Sequence, residues 1–244
     1  MSDFFGEDDS VEKNNSYIGD DDLITNTSSR LPVCLCLDIS GSMKKNDAIS
    51  ALNEGVEAFY QAIREDEQAR NSCEIAVITF NSEVKIAEEF STVDKKGKVH
   101  FTAEGGTALA HAVNRALDLL EERKNSYKAN GVDYYQPWLV IITDGKPGDP
   151  EDIPQAQSRT KKLAEERKLT LFPIAVGSDD NEEKYRQVMD VLNGFSNKSA
   201  KHLKDLKFSD FFEWLGKSVT IVSASKVGDK VRLDTTGMDD WAEI

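Results

Sequence analysis

The apolar positions of this chain follow two alternating rhythms. Four runs, Leu31–Leu37, Cys73–Phe80, Trp138–Thr143 and Leu169–Val176, are apolar at nearly every position. Such runs read as strands buried on both faces, the pattern of a parallel sheet. Between them the apolar residues recur every three or four positions: Ile49, Leu52, Val56, Phe59, Tyr60 and Ile63, then Leu109, Val113, Ala116, Leu117 and Leu120. The same spacing returns within Ile153–Lys168, at Tyr185, Val188, Met189 and Leu192, and at Phe208, Phe211, Phe212, Leu215, Val219 and Val222. It predicts amphipathic helices, each with one stripe against the sheet. Val84–Phe90, after the polar break Asn81-Ser82, predicts an antiparallel edge strand, and a short last strand is expected near Ala200–Leu203. Residues 91–104 read as an irregular connection and Lys124–Gln136 as polar and turn-like, while Asn193-Gly194 marks a helix stop. The order βα-ββ-α-βα-βα-βα predicts an α/β class: a doubly wound, mostly parallel sheet with helices on both faces.

The periodic part spans residues 30–222, and 244 residues suffice for one such domain with a sizeable core. Residues 1–29 are rich in Asp, Glu, Asn and Ser and read as an acidic flexible tail that either solvates or binds a basic partner. Residues 223–244 read as a second acidic tail; Met238 and Trp241 among its acids make it a candidate docking segment, in cis or for self-association. A net charge of −14 speaks against sequence-independent binding to nucleic acid or to an anionic membrane. No stretch approaches the roughly 18–20 apolar residues of a membrane span. The first nine residues are acidic where a secretion signal would be basic and then apolar, so a cytoplasmic location is expected. Cys34, Cys36 and Cys73 lie on predicted strands with no metal-binding spacing, and are expected to be buried free thiols.

Candidate chemistry begins where the first strand ends, at Asp38-Ile39-Ser40-Gly41-Ser42. The carboxyl edge of a doubly wound sheet opens into the crevice where such folds bind ligands. Gly41 lets the backbone turn tightly, so Asp38, Ser40 and Ser42 are able to face one point. One carboxylate and two hydroxyls are oxygen donors and suit a hard cation such as Mg²⁺. Gly105-Gly106-Thr107 precedes the second long helix, and Asp144-Gly145 follows the strand Val140-Ile141-Ile142-Thr143. Taken alone, Thr107 is open to two readings, a helix N-cap or a metal ligand.

Together these three pieces, in this order, resemble the metal-ion-dependent adhesion site of von Willebrand factor type A domains over roughly Leu31 to Val222. The resemblance implies a six-stranded sheet in the order 3-2-1-4-5-6 with its antiparallel strand at one edge, setting Asp38 beside Asp144. It also implies metal binding directly through Ser40 and Ser42. Asp38 and Asp144 would act directly or through water, and Thr107 would bind directly in one state of the site and through water in another. The metal would be Mg²⁺, with Mn²⁺ or Ca²⁺ as alternatives, and a protein partner would supply an Asp or Glu to it. Leu31-Pro32-Val33, Val77-Ile78-Thr79-Phe80 and Gly105-Gly106-Thr107-Ala108-Leu109 look most like the bacterial tellurite-resistance Y (TerY) and YegL-like group, implying a place in a stress-response assembly.

An enzyme is the alternative class, as a Mg²⁺-dependent phosphohydrolase or phosphotransferase. Asp38-x-Ser40 has Ser where aspartyl phosphotransferase loops carry a second Asp. No Gly-rich phosphate loop ending in Lys-Ser/Thr and no Gly-x-Ser-x-Gly turn is present. His100, His111 and His202 are scattered; His111, one turn after Thr107, reads as a surface or packing residue, and Lys146 as a solvated loop residue. A third alternative is a structural scaffold with an inactive metal site.

Overall fold

The computed structural model describes residue 23 and residues 25–177, 182–235 and 242–243. Its strands are β1 (Leu31–Asp38), β2 (Cys73–Phe80), β3 (Val84–Thr92), β4 (Trp138–Thr143), β5 (Thr170–Val176), β6 (Lys201–Leu203) and β7 (Ala242–Glu243). They form one sheet in the order β3-β2-β1-β4-β5-β6-β7. The first six strands thus take the expected order 3-2-1-4-5-6, with helices on both faces. β3 runs antiparallel at one edge, and the two-residue β7, which no periodic pattern announces, pairs antiparallel with β6 at the other. β1 lies at the centre, parallel to β2 and β4, with Leu35 level with Val77 on one side and Val140 on the other.

The helices are α1 (Ala48–Glu65), α2 (Glu67–Ser72), α3 (Leu109–Ala129), α4 (Ile153–Glu165), α5 (Glu182–Asn193) and α6 (Phe208–Ser223). Alternate residues of β1 face opposite sides, as the pleat requires. Leu31, Val33, Leu35 and Leu37 enter a core with α1 and α6, whereas Cys34 and Cys36 enter a second core with α3, α4 and α5. All three cysteines are buried and free.

One local expectation is corrected, and one helix is found that no expectation covered. The stretch from Lys124 is not a turn at its start: α3 continues to Ala129, with Lys124 and Tyr127 on its buried face. The Tyr127 hydroxyl donates to Glu74 Oε2 at 2.5 Å, so a residue that looks polar in the sequence faces a buried carboxylate. The short α2 carries no apolar periodicity; it is started by Asp66, whose side chain accepts from the Ala69 N–H at 2.7 Å.

Helices α1 and α6 meet through a missing side chain. A Cβ built on Gly55 would stand 2.7 Å from Phe212 Cδ2 and 2.8 Å from Phe208 Cβ, so α6 would have to move to admit one. Gly55→Val is expected to lower unfolding stability by about 2–3 kcal/mol, read as an earlier urea midpoint at unchanged slope. An unchanged midpoint would show that the helices separate freely.

At the ends of the domain the chain returns to it. Asn26 Nδ2 donates to the Asn71 carbonyl at 2.8 Å, and Leu23 is buried. After α6, Trp214 Nε1 donates to the Asp234 carbonyl at 2.6 Å, and Val231 and Leu233 pack on the core. Residues 1–22, Met238 and Trp241 lie outside the described residues. No described helix is long and apolar enough to cross a membrane.

Candidate metal centre

Asp38 is the last residue of the central strand and is fully buried. Its carboxylate is held from two sides: Oδ1 accepts from the Ser40 N–H at 2.7 Å, and Oδ2 from the Thr143 hydroxyl at 2.5 Å. The loop then brings Ser40 Oγ and Ser42 Oγ to 3.0 Å from each other, and the Ser42 hydroxyl donates to Asp144 Oδ1 at 2.6 Å. Four of the five candidate residues are thereby linked in one chain of hydrogen bonds across 106 positions of sequence. The parallel pairing of β1 with β4 accounts for this, because Leu37 and Ile142 are in register and both strands end one residue later, at Asp38 and Thr143.

Thr107 joins them through two loops. Gly41 N–H donates to the Gly105 carbonyl at 3.0 Å and Glu104 N–H to the Ile39 carbonyl at 2.8 Å, fastening the Thr107 loop to the Asp38 loop. Gly105 has a φ of +75°, a left-handed conformation that a side chain would strain. On the other side Gly148 N–H donates to the Thr107 carbonyl at 2.6 Å. A Cβ on Gly145 would lie 3.0 Å from Thr107 Oγ1 and 3.6 Å from Asp38 Oδ2, so the Thr107 hydroxyl stands over Gly145 on the side of the Asp38 carboxylate.

The two readings of Thr107 are separated by this geometry. The N-cap position of α3 is Ala108, and no side chain at that position caps the helix. Instead Asp149 Oδ2 accepts from the His111 N–H at 3.0 Å and serves the first turn from another loop. The Thr107 hydroxyl is left available at the site.

Burial pushes the Asp38 carboxyl up to about 6, against the downward pull of the Thr143 and Ser40 hydrogen bonds and with a further upward push from Asp144. Lys184 of α5 places Nζ 4.0 Å from Asp144 Oδ2. Lys146 is exposed, and His111 sits outside the donor cluster with Nε2 3.0 Å from Asp152 Oδ2. Sequence reasoning missed Thr143, Asn81, Ser82, Gly148, Asp149 and Lys184. A hydroxyl immediately before Asp144 at the end of a buried strand was the one cue available. The others act through the fold, as when Asn81 accepts the Ala108 N–H at 2.7 Å and Ser82 the Gly106 N–H at 2.8 Å.

The donor set suits a hard cation: two carboxylates and three hydroxyls, with no sulfur or imidazole. Among the described residues no group of three or more His, Cys, Asp or Glu could hold a metal ion, so any cation at this place must rely on the hydroxyls.

A central parallel sheet whose carboxyl edge gathers acidic and hydroxyl side chains from three loops defines a doubly wound ligand-binding domain. The family model of the von Willebrand factor type A domain matches residues 33–211, and the chain belongs to that family. Domains of this family are typically protein-interaction modules, often metal-dependent. Among curated proteins the chain is 26% identical over 188 residues to calcium-activated chloride channel regulator 3A-1 of Mus musculus, a match covering 73% of this chain and 19% of that protein. The chain therefore spans about a fifth of that relative's length. Among solved structures it is similar to the pilus adhesin SpaC of Lactobacillus rhamnosus GG, with a TM-score of 0.63 at 13% identity over 81% of this chain and 31% of that one. It is also similar to proximal thread matrix protein 1 of the mussel byssus, with a TM-score of 0.56 at 18% identity over 80% of this chain and 47% of that one. These structural likenesses concern the fold alone.

Proposed function

We propose that this protein is a metal-dependent protein-interaction module whose partner presents an Asp or Glu at the carboxyl edge of the sheet. The observation that carries the reading is the convergence of Asp38, Ser40, Ser42, Thr107 and Asp144 from three loops, with the Thr107 hydroxyl uncommitted to the helix it precedes. Ser40, Ser42 and Thr107 would hold the ion through hydroxyls, with Asp38 and Asp144 beside them. Mg²⁺ is the first choice and Mn²⁺ or Ca²⁺ the alternatives. A divalent cation there would supply an electrophilic position for an incoming carboxylate. The chain's own contribution is orientation: Thr143 and the Ser40 N–H fix the Asp38 carboxylate, and Gly148 holds the Thr107 loop. The acidic composition and the TerY-like motifs support a cytoplasmic setting in a bacterial stress-response assembly as part of the same proposal.

Calorimetric titration of Mg²⁺ and Mn²⁺ tests the reading. One site is expected in the wild-type chain, none in Asp144→Ala, and at least about tenfold weaker binding in Gly145→Ala, whose methyl group would crowd Thr107 Oγ1. Binding that survives Asp144→Ala would remove these residues from the site. Metal-dependent phosphate release from ester or nucleotide substrates would favour the hydrolase alternative. Proteins captured in Mg²⁺ and released by chelator would identify the partner.

A further inference from the structure

At the opposite end of the sheet, about 20 Å of strand away from Asp144, a broad groove of about 1970 Å³ opens beside the starts of β4 and β5. Its charge is opposite to that of the molecule. Eight Lys or Arg line it against three Asp or Glu, in a chain whose net charge is −14. The three acids are already engaged: Glu121 pairs with Lys124, Glu165 Oε1 accepts from Asn197 at 2.9 Å, and Asp229 Oδ2 accepts from the Lys226 N–H at 3.2 Å. Four of the cations, Arg167, Lys198, Lys230 and Arg232, are exposed and have no ion pair among the described residues. Like charges gathered without counter-charges repel one another, so an anion that bridges them gains from each.

We propose that this groove docks an acidic polypeptide segment of a partner protein, independently of the metal centre. Nucleic acid is the other polyanion with matching charge, and the groove lacks what single strands need. Of its six aromatic rings Tyr135, Trp138 and Phe211 are buried, and the half-buried Tyr134, Phe172 and Trp214 already pack on Tyr127, Trp138 and Phe211, so a row of free ring faces for successive bases is not on offer. The rest of the surface carries a strong negative excess that repels a long polyanion and tolerates a short one confined to the groove. Val227, 41% exposed at the rim, gives apolar residues interspersed among the acids a place to rest.

The test uses the full chain in EDTA, so that the metal centre contributes nothing and the two proposals fail separately. The probe is a fluorescein-labelled synthetic peptide with the sequence of residues 1–22, which carries eight Asp or Glu and one Lys. Fluorescence anisotropy at low salt is expected to show saturable binding that weakens at least about tenfold in Arg167→Glu/Arg232→Glu. Lys44→Glu/Lys146→Glu, at the metal end of the sheet, is expected to bind as wild type. Both variants change exposed side chains, and a thermal melt confirms that they fold. No binding, an equal loss in both variants, or tighter binding of an oligothymidine of the same charge would overturn the proposal.

Discussion

Asp38→Asn is expected to stabilise the protein in EDTA at pH 7 while removing its response to Mg²⁺. Burial holds the folded Asp38 carboxyl near 6, against an ordinary value of 3.8. Below pH 3.8 the group is protonated in both states and costs nothing. Between 3.8 and about 6 the unfolded chain releases a proton that the folded protein keeps, so stability falls as pH rises through that window. Above it the carboxylate is ionised in both states, and the folded protein carries the whole penalty, on the order of 2–3 kcal/mol. The Asn side chain keeps an acceptor for the Ser40 N–H and faces Thr143 with a donor, without charge. Thermal melts of the two proteins should differ by several degrees at pH 7 and converge near pH 4. Added Mg²⁺ should then raise the melting temperature of the wild type alone, because a ligand stabilises the state that binds it. A variant less stable than wild type at pH 7 would mean that hydrogen bonding at Asp38 outweighs its desolvation, and an advantage that persists at pH 4 would mean that the gain does not come from removing a buried charge.

Glu74→Ala is expected to cost on the order of 4 kcal/mol, enough to lower the melting temperature by about 10 °C. Glu74 lies in β2 and is fully buried, as is Arg30 just before β1. Its carboxylate accepts both arms of Arg123, Nε at 2.6 Å and a terminal nitrogen at 2.9 Å, and the Tyr127 hydroxyl at 2.5 Å. Arg30 Nε stands 3.6 Å away and donates through its other nitrogens to the Asn71 and Asn26 carbonyls. Removing the carboxylate takes away the buried counter-charge that faces the Arg30 and Arg123 guanidinium groups, a far larger penalty than losing an exposed pair. Glu74→Gln should fall between the two, since it keeps hydrogen bonding and loses charge. Urea denaturation separates the cases. A loss below about 1 kcal/mol in Glu74→Ala would show that the buried guanidinium groups do not depend on this carboxylate.

Much of this architecture was legible in the residue order because it rests on period alone. Leu31–Leu37 is continuously apolar since β1 is covered on both faces, and Leu52, Val56, Phe59 and Ile63 repeat at helical spacing because α1 has one buried side. The reading failed where a polar side chain is buried on account of a distant partner. Glu74 lies inside a run read as an apolar strand, and Tyr127 inside a stretch read as a turn; their burial depends on Arg30, on Arg123 and on each other, and no local pattern records it. The strand β7 was invisible for a related reason: two residues carry no period, and their pairing depends on β6.

The candidate site divides in the same way. Donor types and spacing at Asp38, Ser40, Ser42, Thr107 and Asp144 are properties of short segments, so the sequence by itself determined which atoms are on offer and which kind of cation they suit. It also determined the doubly wound class, since alternating buried strands and one-sided helices have few other ways to cover their apolar faces. Only the tertiary structure decided that Thr107 leaves the helix cap to Asp149, that Thr143 and burial together set the charge of Asp38, and that Lys184 stands over Asp144. Those are contacts between segments far apart in the chain, and their strength is set by distance and desolvation, which exist only once the sheet has brought the loops together.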